Sequence, residues 1–435
     1  MKRIFIKKLI EWKDKKKHKP IILRGARQVG KTWIVKYFGN KYFKNRFHIV
    51  DFEKHPDWHI IFEKNLDVKR IILELELLLN VSIDTKKDLL FFDEIQNCPR
   101  AIMSLRYFYE ELPTLHLIST GSLLEFAIKK IPFPVGRVQI MTMYPMTFLE
   151  YLLAINKKKM VDILLGNTLK LSETIHQLIL EELRLYLFIG GMPECVKTYK
   201  ETHKLKNISE IQAGLIETFK ADFSKYTPHV DHRCIKNVLN NVSKSVGNQI
   251  KYTKLTDSFS MPTNKKAFDL LNMARIVYKI SSVSPAGIPL GASASERKFK
   301  AIMLDIGLMQ HLCGINISEE IHKTDLLNIY NGALVEQFVG QELLALTENE
   351  VYYWSRDAKS SSAEVDYVIE KNGKILPIEV KSGVAGKLKS LHLLLERYKN
   401  ISTGLVLSSR PYFELPEQKL IFSPIYGLNN LIDNL

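Results

Sequence analysis

Gly25-Ala26-Arg27-Gln28-Val29-Gly30-Lys31-Thr32 follows the apolar run Ile21-Ile22-Leu23 and leads into Trp33-Ile34-Val35. A strand that enters a glycine loop and leaves as a helix presents backbone N–H groups and a helix N-terminus to phosphate oxygens. At the spacing GxxxxGK[ST], the lysine, Lys31, reaches the β- and γ-phosphates of a nucleotide and the hydroxyl of Thr32 ligates Mg²⁺. The expected nucleotide-binding set is therefore Gly25, Ala26, Arg27, Gln28, Val29, Gly30, Lys31 and Thr32, with Trp33 as the next helical residue. A chance match in a glycine turn is the competing explanation, and the strand–loop–helix context makes it rare.

The partner of such a loop is an apolar strand ending in carboxylates, and Leu89-Leu90-Phe91-Phe92-Asp93-Glu94 supplies it. Asp93 is expected to hold Mg²⁺ through its water shell, and Glu94 to polarise the attacking water. The adjacent glutamate favours ATP over a GTPase switch, and Asn264-Lys265-Lys266-Ala267 lacks the aspartate of a guanine-reading motif. Ser119-Thr120-Gly121-Ser122 ends another apolar run. Thr120 and Ser122 are candidates to touch the γ-phosphate or water, though a serine-capped helix start explains them equally. Arg137, in Pro134-Val135-Gly136-Arg137, is a candidate charge stabiliser acting on a neighbouring subunit, or a solvated arginine.

Outward from these motifs, residues 21–23, 47–52, 89–92 and 115–119 read as strands, and 33–38, 69–79 and 102–112 as helices. The alternation predicts an α/β domain with a parallel sheet. Helices at 146–153 and 172–188 follow, and Gly190-Gly191-Met192-Pro193 is a sharp break. Residues 206–300 are mostly helical and end in a strand at 276–283, a pattern that suggests a winged helix-turn-helix. Thr263 is the expected cap of a helix over 263–274. From 301 the pattern returns to α/β: a helix at 333–346, strands at 351–354, 364–369 and 375–380, a helix at 387–398 and a strand at 403–407. Asn372-Gly373 is the expected hairpin turn. The domain division is 1–205, 206–300 and 301–435.

With 435 residues the chain is too long for one hydrophobic core. Its formal charge of +15 fits a partly electrostatic attraction to nucleic acid, DNA before RNA, or a merely lysine-rich surface. Cys98, Cys195, Cys234 and Cys313 include no CxxC pair, which fits a reducing compartment. Charges interrupt the N-terminal apolar residues, so no signal peptide is expected, and no run is long enough to cross a membrane. A cytoplasmic location is expected.

A second constellation lies near the C-terminus. Glu379 and Lys381 share one face of a strand, and a hairpin brings Asp366 beside them. Two carboxylates and a lysine on one sheet face can bind Mg²⁺ and activate water for phosphodiester attack, with Lys381 as a non-ligand. Glu336 on the preceding helix is a further candidate ligand. A charged hairpin face in water is the alternative.

These motifs together resemble a prokaryotic family of AAA+ ATPases, related to archaeal-type ATPases, that carry a C-terminal domain of unknown function. The marks are LRGARQVGKT at 23–32, LLFFDEIQ at 89–96, STGS at 119–122, PVGR at 134–137, GGMPE at 190–194, KAIMLDIGLM at 300–309, VEQFVGQEL at 335–343, YYWSR at 352–356 and EVDYVIEKNGKILPIEVKSG at 364–383. The resemblance covers nearly the whole chain; residues 251–264 are its least recognisable part. It implies a P-loop NTPase core of the AAA+, ASCE type, a winged-helix-like middle segment and a C-terminal restriction-endonuclease-like fold. In that fold the PD-(D/E)xK pattern falls on Glu336, Asp366, Glu379 and Lys381. The implied function is an ATP-hydrolysing protein that acts on nucleic acid, with ATP and Mg²⁺ as cofactors and a homo-oligomer as a possible assembly. The alternative is a nucleotide-dependent switch whose C-terminal domain only binds a partner. A small-molecule kinase is disfavoured, because nothing downstream supplies an acceptor site.

Overall fold

The computed structural model describes residues 3–122, 124–129, 131–166, 169–226, 230–315, 332–348, 350–358, 361–381 and 388–434. Residues 382, 383 and 387 of the expected C-terminal elements lie outside them. Two compact units form, Arg3–Tyr144 and Pro145–Leu435.

In the first unit five strands, β1 (Ile21–Arg24), β2 (Phe47–Asp51), β3 (Leu89–Asp93), β4 (His116–Gly121) and β5 (Gln139–Thr142), form one sheet in the order β2-β3-β4-β1-β5. Every neighbouring pair is parallel. The helices are α1 (Ile6–Lys13), α2 (Lys31–Tyr42), α3 (Ile60–Glu63), α4 (Val68–Leu79), α5 (Pro99–Glu111) and α6 (Leu124–Ile128). Both faces of a parallel sheet are covered, so its strands run apolar rather than alternating, and all five residues of β3 are buried. Ile22, Val50, Leu90, Phe92 and Leu117 share one core with Ile71, Leu75, Ile102 and Leu105. Local signals set the helix ends. Asp67 caps α4 by accepting from the N–H groups of Lys69 and Arg70, and left-handed Asn80 stops it. The consequence for function is the strand order. Strand β4 separates the loop-bearing β1 from the acidic β3, and the carboxyl ends of all three meet at one edge.

The second unit holds α7 (Phe148–Ala154), α8 (Lys158–Leu164), α9 (Glu173–Ile189), α10 (Pro193–Thr202), α11 (Leu205–Tyr226), α12 (His232–Lys244) and α13 (Met261–Met273), followed by the antiparallel pair β6 (Val277–Ser281) and β7 (Phe299–Met303). After α14 (Ile306–Leu312) and α15 (Ala333–Thr347) comes a sheet built from β8 (Val351–Ala358), β9 (Ser361–Lys371), β10 (Lys374–Val380), β11 (Gly404–Ser408), β12 (Phe413–Leu415) and β13 (Leu420–Pro424). Its order is β12-β13-β11-β10-β9-β8. Helix α16 (Lys389–Arg397) connects β10 to the parallel β11, and α17 (Leu428–Asn434) ends the described chain. Asn372 and Gly373 both take positive φ, 51° and 73°, as the β9–β10 hairpin requires.

Residues 145–205, grouped above with the nucleotide-binding domain, pack within this second unit. Buried polar bonds tie them to its later elements. Glu342 of α15 accepts from the Phe148 N–H (3.0 Å) and from Asn429 (3.1 Å), and Asp305 accepts from the Gly191 N–H at 2.6 Å. Strand β7 crosses the expected boundary at residue 300, pairing backward with β6 while sending Lys300 toward later residues. The expected cap at Thr263 is displaced: α13 begins at Met261 with Ser260 in the N-cap position, because Pro262 favours the first helical turn.

Candidate functional site

The loop at the carboxyl end of β1 is specified by its glycines. A Cβ on Gly25, whose φ is +151°, would lie 2.2 Å from the Met143 carbonyl oxygen, so no other residue fits there. Arg3 clamps the loop from behind, donating to the Val29 carbonyl (3.1 Å) and the Tyr144 carbonyl (2.7 Å). Lys31 opens α2 and folds back under the loop. Its ammonium donates to the carbonyls of Gly25 (2.9 Å) and Ala26 (2.8 Å). Only 5% of Lys31 is exposed, and burial lowers its pKa to about 8, against the pull of Glu94 and Asp93. Trp33 is 43% exposed, with its ring stacked on Tyr37.

Asp93 ends β3 and gathers the neighbouring strands. Its Oδ1 accepts from Thr32 (3.0 Å), from Thr120 at the end of β4 and from the Glu94 N–H (3.2 Å). Burial raises the Asp93 pKa, while the Thr120 and Thr32 hydroxyls hold it back. Glu94 sits in the left-handed region (φ 49°, ψ 47°), a conformation that non-glycine residues rarely adopt without support. The support is polar: its Oε2 accepts from Gln96 (2.5 Å) and Ser122 (3.3 Å). Lys31, Thr32, Asp93, Glu94, Thr120 and Ser122 are thus brought to one edge. Arg137 is half-exposed and pairs with Glu110 of α5 at 2.8 Å.

In the second unit, Asp366 on β9 and Glu379 on β10 lie on strands paired through Tyr367 and Ile378. Asp366 accepts from the Val380 N–H at 2.8 Å, and Lys381 donates to Glu379 Oε1 at 2.5 Å. Glu336 reaches the same cluster from α15. A Cβ on Gly247 would stand 3.0 Å from its Oε2, which keeps that side small. All four sequence-selected residues therefore meet. A fifth charge joins them: Lys300, 1% exposed on β7, donates to Glu336 (2.8 Å) and pairs with Glu364 and with Asp366 (3.6 Å). Burial opposes its charge, but Glu336, Asp366 and Glu364 outweigh that and hold the ammonium well above its usual range. Burial, reinforced by Asp366, raises Glu336 to about 8 and Glu379 to about 7. Among the described residues no group of three or more His, Cys, Asp or Glu side chains is disposed to hold a metal ion. Glu379 Oε2 is buried without a partner.

Residues 17–152 match the model of the AAA domain family. The parallel five-stranded sheet with its P-loop agrees with that match, so the first unit is a P-loop domain of the AAA type. Residues 180–319 and 331–421 match two families described only as domains of unknown function (DUF8612 and DUF4143). No curated protein matches the chain. Similar solved structures include the Walker-type ATPase PABY2304 of Pyrococcus abyssi, at 16% identity and TM-score 0.45, covering 71% of this chain and 94% of that one. The Aeropyrum pernix ORC1 protein in complex with DNA is similar at 11% identity and TM-score 0.31, covering 72% and 93%. AMPPCP-bound DnaA from Aquifex aeolicus is similar at 17% identity and TM-score 0.24, covering 62% and 86%.

Three side chains escaped the sequence reading. Gln96 lies inside the quoted LLFFDEIQ stretch, but its role depends on the turn made by Glu94. Glu364 had a signal, since it shares a face of β9 with Asp366 two residues on. Lys300 had one as well: a lysine inside the apolar run Phe299–Met303, all of which is buried, needs a partner.

Proposed function

We propose that this chain binds MgATP at the P-loop and hydrolyses it, and that it couples this cycle to nucleic acid, DNA before RNA, through a nuclease-like C-terminal domain. The observation that carries the ATPase reading is the convergence of Thr32 and Thr120 on one oxygen of Asp93, beside a buried Lys31. The phosphates of ATP would take the Lys31 ammonium from the Gly25 and Ala26 carbonyls. Thr32 and Asp93, already 3.0 Å apart, fit a shared Mg²⁺, Asp93 through water. Mg²⁺ supplies charge neutralisation of the phosphates. Glu94, held by Gln96 and Ser122, orients the attacking water and takes its proton. Arg137, freed from Glu110, would reach a neighbouring subunit's nucleotide in a homo-oligomer.

The α15-β8-β9-β10-α16-β11 order, with Asp366 in the middle of β9 beside Glu379 and Lys381 at the end of β10, supports the nuclease-like reading of the last segment. Helices α12 and α13 followed by the β6–β7 ribbon support a winged-helix reading of the middle one. No helix among the described residues is long and apolar enough to cross a membrane. The test is cleavage of single- and double-stranded DNA and RNA with Mg²⁺ or Mn²⁺, with and without ATP, comparing wild type with Asp366→Ala. Cleavage lost in the variant is the expected result. ATP turnover without cleavage of any substrate would overturn the nuclease reading.

One observation favours a second reading, a nucleotide-dependent switch. The Lys300 ammonium stands among Glu336, Glu364 and Asp366, where a metal-dependent nuclease needs a cation of its own. As arranged, these residues do not fit a metal held by the whole cluster, and the nuclease reading requires Asp366 and Glu379 to hold it with the Lys300 ammonium displaced. ATP-dependent assembly without dependence on nucleic acid would support the switch.

A further inference from the structure

We propose that the Arg3–Tyr144 unit carries a binding surface for a nucleic-acid strand at the end of its sheet opposite the P-loop, with basic side chains on the phosphates and an aromatic face for unpaired bases. The inference rests on the nucleic-acid reading above and names the surface that would serve it.

A pocket of about 460 Å³ opens at this end of the unit. Lys13, Lys41, Lys44, Arg46, Lys86 and Lys87 line it, and no Asp or Glu does. All but Lys13 are exposed. Topology brings them together from distant sequence. Arg46 immediately precedes β2, Lys86 and Lys87 precede β3, and His116, also in the lining, begins β4. The strands are parallel, so this is the amino end of the sheet, whereas Gly25 and Asp93 mark the carboxyl end. Along β3 alone, Leu89 and Asp93 are separated by ~13 Å of strand. Phosphates held by these cations lie away from the nucleotide site.

Lys15, Lys16 and Lys17, all exposed, extend the positive surface, because the loop that carries them ends in His18, whose ring stacks on His116 at 4.1 Å. The counter-charges are few: Asp14 lies 3.5 Å from Lys13, and Asp84 lies 3.5 Å from Lys87. So many like charges around one concavity repel one another, and an extended polyanion relieves that repulsion at several points at once. Another pocket, about 680 Å³ in the second unit, lacks this character. Its Lys265 is paired with Asp269 at 3.0 Å, and Glu296 adds a further negative charge.

The neighbouring face of α2 decides between a nucleic acid and a simple anion. Trp33, Tyr37 and Lys41 are spaced by four residues along one side of the helix, so the aromatic face runs from the cations at Lys41 back toward the first turn of α2, where Trp33 follows Thr32. The two rings are exposed and stacked, 5.3 Å apart at an interplanar angle of 10°, and Lys41 donates to the Tyr37 hydroxyl at 3.3 Å. A flat aromatic face beside a row of cations suits bases that are not paired.

The test measures binding of a fluorescent single-stranded oligonucleotide by the full chain across a range of salt concentrations, for wild type and for the variant with Lys41, Lys44, Arg46, Lys86 and Lys87 all changed to Gln. If each contacts one phosphate, the slope of log K against log[salt] becomes shallower by about 3.5 in the variant. Between 50 and 200 mM salt the wild type then loses about 100-fold more affinity than the variant. ATP turnover without nucleic acid and the melting temperature should stay at wild-type values. The double variant Lys44→Gln/Lys86→Gln should lower the slope by about 1.4, which keeps the test open if the quintuple variant misfolds. Equal slopes for wild type and both variants would overturn the surface while leaving the ATPase and nucleic-acid readings standing. Wild-type binding to anionic phosphatidylserine vesicles but to no oligonucleotide would overturn both the surface and the nucleic-acid reading.

Discussion

ATP affinity should fall as the pH rises above 8, and the cause is one side chain. Burial under the loop lowers Lys31 from 10.5 to about 8, and its ammonium is held only by the Gly25 and Ala26 carbonyls and by nearby carboxylates. Bound phosphates add negative charge beside it and return its pKa upward. The sign follows. Below pH 8 the lysine already carries its proton, so affinity is flat. Above pH 8 each ATP that binds must bring a proton with it, and affinity drops by up to about tenfold per pH unit until the bound-state pKa is reached. At pH 9 the loss is about tenfold. Calorimetric titration at pH 8.5 in buffers of different ionisation enthalpy should register uptake of about 0.8 proton per ATP. Lys31→Arg keeps its charge and should abolish the uptake. Affinity that is constant from pH 7 to 9.5 in the wild type, with no proton uptake, would refute the reasoning.

Other substitutions probe neighbouring parts of the argument. Gly25→Ala places a methyl 2.2 Å from the Met143 oxygen and should remove measurable ATP binding in an equilibrium assay, whereas Gly214→Ala, at a helical glycine with open space around it, should leave binding within a few-fold. Lys300→Met strips the shared cation from Glu336, Glu364 and Asp366 and should cost about 3–5 kcal/mol in urea unfolding at pH 8. Adding Glu336→Gln should restore part of that loss, and a Lys300→Met protein as stable as wild type would show that the cluster does not depend on the lysine. Burial raises Asp305 from 3.8 to about 6 despite bonds from the Gly191 and Leu308 N–H groups. A raised carboxyl contributes stability that is fully present below its unfolded pKa and is lost as pH rises through 6. Asp305→Asn should therefore flatten the stability profile between pH 4 and 6, as read by chemical denaturation at each pH.

The two halves of the chain differ in how much of this was legible. The P-loop and the Asp93–Glu94 pair could be read because each is a local pattern: glycines where the backbone must bend, and carboxylates where an apolar strand ends. Thr120 could be selected by position, but its bond to Asp93 needed the strand order, which sets β4 between β1 and β3. Strand β5 went unread because Gln139–Thr142 is short and only its third residue, Met141, is buried. The Asn372-Gly373 turn fixed the β9–β10 register and hence the meeting of Asp366 with Glu379. Lys300 could not be placed, since its partners come from residue 336 on α15 and residues 364 and 366 on β9, two later passes of the chain. The basic pocket was likewise invisible as a site. Its basic side chains sit in three separate segments, around residues 13, 41–46 and 86–87, and only the parallel topology gathers them at one end. Residues 145–205 looked like a continuation of the first domain because no linker composition marks position 145. Their allegiance is set by buried bonds such as Glu342 to the Phe148 N–H.

The most direct test of the ATPase mechanism is steady-state ATP turnover by Glu94→Gln beside a measurement of its ATP affinity. The amide keeps the side chain's shape and its bond to Ser122 but cannot take the proton of the attacking water. Turnover should fall by about 100-fold or more while ATP binds within a few-fold of wild type. Turnover at the wild-type rate would contradict the role given to Glu94, and with it the reading of this edge of the sheet as the hydrolytic site.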